Sequence, residues 1–173
     1  QFFNNSRFYF NLSFFKILKK IFEYIKYKNN DHKKILSEKF KDFFPNSNFF
    51  YFDYGRSGFY FLLKYFPPKS KKKILINSLT LFEMVNMIIY AGYEPIFVDN
   101  KKNSFESNIC NLLDKHYLEV RFVVVTHLNG FNNEIFKIKE KINEINKTLD
   151  DDEKILLVED VAVSFGAKNK FFF

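Results

Sequence analysis

From Phe14 to Tyr27 apolar side chains recur at helical spacing. Phe14, Leu18, Ile21, Phe22 and Ile25 share one stripe, and Lys16, Lys19, Lys20 and Lys26 fall off it, which is the pattern of an amphipathic helix. A second helix is predicted over Lys33 to Phe44, stopped by Pro45. Beyond Pro45 short apolar runs alternate with amphipathic segments. Strands are predicted at Ile74 to Asn77, Pro95 to Asp99, Arg121 to Thr126 with its three successive valines, and Ile155 to Glu159. Helices are predicted at Phe59 to Phe66, from Thr80 to the stop at Gly92, at Glu106 to Lys115 and at Glu134 to Lys147. Thr80 with Glu83 three residues on has the spacing of a reciprocal cap. Strands written as continuous apolar runs are those buried on both faces. The expected fold is therefore α/β, a mostly parallel sheet flanked by helices (residues 46–173), preceded by an amino-terminal helical segment (residues 1–45).

Composition changes this picture little. The chain has 173 residues, 47% of them hydrophobic, enough for one sizeable core. Its 26 Phe are spread over every segment and there is no Trp, which reads as a nucleotide-composition bias. A net charge of +7 and a pI of about 9.3 raise the question of a polyanionic partner. The densest basic run, Lys69 to Lys73, sits between Pro67-Pro68 and an apolar strand and reads as a solvated loop, so no nucleic acid is expected. The basic helix at Phe14 to Tyr27 is expected to dock on its own domain or on a partner subunit rather than on a membrane. Cys110 is the only cysteine and no metal-ligand spacing occurs. A cytoplasmic setting is expected, since there is neither a run of about 18 apolar residues nor an export leader. The chain starts on Gln1 and ends on Phe171, Phe172 and Phe173, and is expected to be part of a longer protein.

In parallel sheets ligands bind beyond the carboxyl ends of the strands, and three such places hold polar groups. Glu159-Asp160 follows the last strand, Thr126-His127 follows the third, and Tyr54-Gly55-Arg56-Ser57-Gly58 forms a glycine-bracketed turn before a helix. Each has an ordinary explanation: a helix cap for the carboxylate, a hydrogen-bonded structural role for the histidine, plain turn chemistry for the glycines. Together they suit a phosphorylated aromatic cation, the turn holding the phosphate and the carboxylate the ring nitrogen.

Four segments in order, YGRSGFYFLLKYF, NSLTLFEMVNMIIYAGYEPIFVD, VVVTHLNG and VEDVAVSFGA, resemble the amino-terminal half of the large domain of the DegT/DnrJ/StrS sugar aminotransferases, which have the aspartate aminotransferase fold. The resemblance runs from about Glu38 to Ala167 and implies an incomplete large domain that binds pyridoxal 5'-phosphate. By that resemblance Asp160 pairs with the protonated pyridine nitrogen, Gly55, Arg56 and Ser57 face the phosphate, His127 lies beside the ring edge, and Ala162 leaves room for the ring. Leu81 stands where the family usually has a stacking aromatic residue, and Val163 where it often has a Gln that reaches the ring hydroxyl. The family's Schiff-base lysine follows a Gly-Asp and a Ser-Phe pattern beyond the stretch matched; Lys168 and Lys170 fit no such pattern, so the 173 residues by themselves are expected to be inactive. The implied parent is a homodimer that moves an amino group from an amino acid, glutamate by expectation, to a nucleotide-linked keto-sugar for polysaccharide or amino-sugar synthesis. Two alternatives stand: a sugar dehydratase of the same family, and a non-catalytic docking domain that keeps the fold.

Overall fold

The structure is a computed structural model, and it describes residues 15, 18–19, 21–23, 31–104, 106–127 and 134–164. The predicted helix over Phe14 to Tyr27 falls largely outside the described residues, as do the ends of the third and fourth family segments. The chain divides into two compact units, Gln1–Phe49 and Phe50–Phe173.

In the first unit helix α1 spans His32–Lys41. Asp31 caps it, its carboxylate accepting the Lys34 amide at 3.2 Å, and Lys39 and Lys41 in the last turn oppose the negative end of the helix dipole. The helix stops three residues short of the predicted Phe44 and buries none of its residues.

The second unit is built as α2 (Gly55–Tyr65), β1 (Lys73–Asn77), α3 (Phe82–Tyr90), β2 (Glu94–Val98), α4 (Ile109–His116), β3 (Val120–Thr126), α5 (Ile135–Asn146) and β4 (Leu156–Asp160). The four strands form one sheet in the order β2-β1-β3-β4, and every pairing is parallel. The α/β expectation is met, with each strand within one residue of its predicted ends.

Alternation along the strands divides the core between the two faces. Ile74, Ile76, Phe122 and Val124 pack with Phe59 and Leu63 of α2 and Met84 and Ile88 of α3. Leu75, Val123 and Val125 pack with Ile109 and Leu113 of α4 and Ile135, Ile138 and Ile142 of α5. The continuous apolar reading of the strands follows from helices covering both sides.

Three local expectations are corrected. Helix α2 starts at Gly55, not Phe59, so the glycine-bracketed segment is the first helical turn rather than a turn before the helix. Thr80 does not cap α3: the N-cap is Leu81, without a side-chain bond, and the Thr80 hydroxyl instead lies 3.5 Å from that of Thr126 on β3. Helix α4 starts at Ile109 because the preceding residues have other partners. The Glu106 amide bonds the Ser104 hydroxyl at 3.0 Å, its carboxylate meets Lys101 at 3.0 Å, and Ser107 bridges to Asn100. The stop at Gly92 holds. With φ at +92°, Gly92 lets its own amide reach Ile89 O at 2.9 Å and that of Tyr93 reach Ile88 O at 3.0 Å, the paired closure of a helix that glycine accommodates best.

Candidate active site

Helix α3 follows β1 on one face of the sheet, and α5 follows β3 on the other. The connections leaving the carboxyl ends of the neighbouring strands β1 and β3 therefore go to opposite faces, which makes the switch point at which open α/β sheets bind ligands. This edge is tied together by polar contacts. Asn77, buried at the end of β1, accepts the Thr126 amide on its Oδ1 at 3.1 Å, and the Ser78 hydroxyl donates to Val98 O at 3.0 Å. Among the described residues no group of three or more His, Cys, Asp or Glu side chains gathers to hold a metal.

At the end of β4 alternation separates Glu159 from Asp160. Leu156 and Val158 pack on the α2–α3 face, and Asp160 shares their parity, while Leu157 packs on the α4–α5 face together with Glu159, whose Oε1 meets Lys139 of α5 at 2.8 Å. Asp160 is half-buried. One of its carboxylate oxygens, Oδ1, accepts the Ala162 amide at 3.1 Å, and this fixes the orientation of the group. Ala162 is exposed, as are Val163 and Leu81, 64% and 67% accessible, so none of the three packs in the core.

Helix α2 packs on Asp160's face of the sheet through Phe59 and Leu63. The Ser57 and Gly58 amides are bonded to Tyr54 O at 3.1 and 3.2 Å. The Gly55 and Arg56 amides precede the first intrahelical bonds and point toward the positive end of the helix dipole. No acidic residue stands in that first turn, and a Cβ built on Gly55 would meet nothing within 4 Å. Arg56 holds its guanidinium carbon 4.6 Å from the centroid of the Tyr54 ring.

His127 closes the end of β3. Its side chain is fully buried, 0% exposed, and its Nε2 lies 3.3 Å from Glu159 Oε2, placing the ring on Glu159's side rather than Asp160's. Its amide donates to Asp160 O at 3.0 Å. Burial pushes the Glu159 carboxyl up, but the hydrogen bonds from His127 and Lys139 outweigh it and hold the group below its ordinary value. A carboxyl depressed in the fold adds stability above its unfolded value, roughly pH 4.3, and that contribution is lost as pH falls through the folded value. We expect Glu159→Gln to flatten the acid side of the stability–pH curve below about pH 5, read by denaturant melts at several pH values; an unchanged slope would show that the pair adds nothing.

Sequence reasoning missed Asn77 and Lys139. Asn77 had a signal, a polar residue ending an apolar strand. Lys139 is one of several lysines on α5 and had none.

The donor set fits a phosphorylated pyridine ring: amides without intrahelical acceptors at the start of a helix with no acidic residue in its first turn, and an oriented aspartate on the sheet face against which that helix packs. The fold is that of the pyridoxal-phosphate-dependent transferases, as in the solved sugar aminotransferases it resembles. The chain belongs to the DegT/DnrJ/EryC1/StrS aminotransferase family, which it matches over residues 13–170. It is similar to GDP-perosamine synthase of Escherichia coli O157:H7, 28% identical over 98 residues, 57% of this chain and 25% of the relative. Among solved structures it resembles the sugar aminotransferase CalS13 of Micromonospora echinospora, with a TM-score of 0.55 at 21% identity over 65% of this chain and 30% of that one. It also resembles Spr1654 of Streptococcus pneumoniae in its PLP-form, with a TM-score of 0.55 at 15% identity over 64% and 30%. The chain thus spans between a quarter and a third of the length of these relatives. No helix among the described residues is long and apolar enough to cross a membrane.

Proposed function

We propose that the protein to which this chain belongs is a pyridoxal-phosphate-dependent aminotransferase that acts on a nucleotide-linked keto-sugar, takes its amino group from glutamate, and serves polysaccharide or amino-sugar biosynthesis. The observation behind this reading is Asp160, half-buried and oriented by the Ala162 amide, on the sheet face against which α2 also packs through Phe59 and Leu63. When bound, pyridoxal phosphate supplies an electron sink for the pair of electrons left when the donor's α-carbon loses its proton.

The residues of this chain have distinct tasks in that reading. Asp160 keeps the ring nitrogen protonated by placing a negative charge against it. The Gly55 and Arg56 amides bind the phosphate at the positive end of α2, and Ser57, its amide committed to Tyr54, contributes through its hydroxyl. Leu81 offers an apolar contact to the ring face, Ala162 leaves the ring space, and Val163 forms an apolar edge that donates no hydrogen bond. A homodimer belongs to the proposal, supported by the exposed apolar side chains Phe61 and Tyr65 of α2 and Phe82, Ile89 and Tyr90 of α3. A cytoplasmic setting also belongs to it, supported by the single cysteine. The GDP-sugar in the name of the Escherichia coli relative supports the nucleotide-linked substrate.

The test is to supply the protein, expressed from its complete reading frame, with pyridoxal phosphate, glutamate and a set of nucleotide-linked keto-sugars. We expect 2-oxoglutarate and an amino-sugar to form in equal amounts with at least one of them. Cofactor absorbance without 2-oxoglutarate from any keto-sugar would overturn the substrate assignment, and failure to take up the cofactor would overturn the whole reading.

A further inference from the structure

We propose that His127, Glu159 and Lys139 form a positioning clamp, on the sheet face opposite the cofactor side, that fixes the Asp160 carboxylate. The inference rests on the reading of Asp160 as the partner of the ring nitrogen. His127 grips two consecutive residues of β4: its amide donates to Asp160 O at 3.0 Å, and its ring lies 3.3 Å from the Glu159 carboxylate. The second oxygen of that carboxylate meets Lys139 Nζ at 2.8 Å, so β3, β4 and α5 are joined through one side chain.

This chain of contacts sits at the last rungs of the ladder, where Val125 pairs with Glu159 and Thr126 with Asp160. Strand ends open most readily. A strand end that must hold a charge in place needs more than its ladder, because an error of about 1 Å in a reacting geometry is expensive. The peptide group between Glu159 and Asp160 is held by the side chain before it and the carbonyl after it, while the Asp160 carboxylate is held by the Ala162 amide at 3.1 Å. The energetic centre of the clamp is the His127 contact. Its ring is fully buried and Glu159 is 22% exposed, so water competes little there, whereas Lys139 is 47% exposed and its ion pair is screened. His127 and Glu159 are therefore positioning residues that act through Asp160.

The experiment uses the complete protein loaded with pyridoxal phosphate and reads two quantities, amide hydrogen exchange over residues 156–164 and the cofactor dissociation constant. Glu159→Ala is expected to speed exchange of the Ala162 amide about tenfold, leaving the Val123 and Val124 amides unchanged, and to weaken cofactor binding about tenfold. In an Asp160→Asn background the same substitution should add nothing to the loss of affinity, because the clamp acts through that carboxylate. Unchanged exchange at Ala162, or an equal loss of affinity in both backgrounds, would overturn the clamp. If Asp160→Asn alone leaves cofactor affinity intact, the cofactor reading falls while exchange at Ala162 still decides the clamp. Should Glu159→Ala fail to fold, Lys139→Met removes only the exposed end; it is expected to speed exchange at Ala162 about threefold, and no change there would overturn the proposal.

Discussion

Asp160→Asn is expected to lower turnover of the complete protein by roughly two to four orders of magnitude, equivalent to about 3 to 5 kcal/mol of transition-state stabilisation. A neutral amide cannot hold a proton on the pyridine nitrogen, and a ring without that proton is a far poorer electron sink. The fold should survive, because the amide oxygen of Asn can still accept the Ala162 N–H that Asp160 Oδ1 accepts at 3.1 Å. A carboxylate that only caps this turn predicts the reverse, a change of about 1 kcal/mol or less in stability and nearly intact activity, since Asn is itself a good cap. Rate and melting temperature of the Asn variant, measured together, separate the two, and unchanged turnover would remove Asp160 from the site.

Phe122→Ala is expected to be the most damaging single truncation of the core. Phe122 is fully buried on the central strand β3, its ring centroid 5.7 Å from that of Tyr93 and 6.1 Å from that of Phe66, both edge-on. It packs in the cluster that joins α2, α3 and the sheet, so its loss leaves a cavity bordered by several elements that cannot all move in. Such truncations cost about 3 to 5 kcal/mol, a large share of the roughly 5 to 15 kcal/mol that stabilises a typical domain. Urea unfolding monitored by circular dichroism should show the midpoint fall steeply; a loss below about 1 kcal/mol would mean that the sheet face repacks around the gap.

The fold was legible because its strands are written plainly. The run Val123-Val124-Val125 has one reading in a chain of this length, and the helix stop at Gly92 fits the observed closure through Ile88 and Ile89. Helix starts were less legible because caps compete for tertiary partners. Thr80 has the right spacing to Glu83, yet its hydroxyl lies by Thr126, 46 residues away, and no local pattern encodes that contact. Glycines 55 and 58 suggested a turn, but the segment is helical: the Gly58 amide already bonds Tyr54 O at 3.2 Å, and glycine at the very start of a helix costs little. In the site, the strand-end position of Asp160 followed from the apolar run before it. The setting of His127 did not: alternation places Glu159 and Asp160 on opposite faces, but only the packing of α5, with Lys139 against Glu159, decides which face holds the buried ring.

The protonation state of the cofactor's pyridine nitrogen is the quantity on which this account turns. It can be observed directly by nitrogen NMR of the complete protein loaded with pyridoxal phosphate labelled at the ring nitrogen. A pyridinium signal that persists well above the pH at which the free cofactor loses its proton is expected in the wild type, and a neutral-pyridine signal in Asp160→Asn. A neutral ring in the wild type, or the same signal in both proteins, would contradict it.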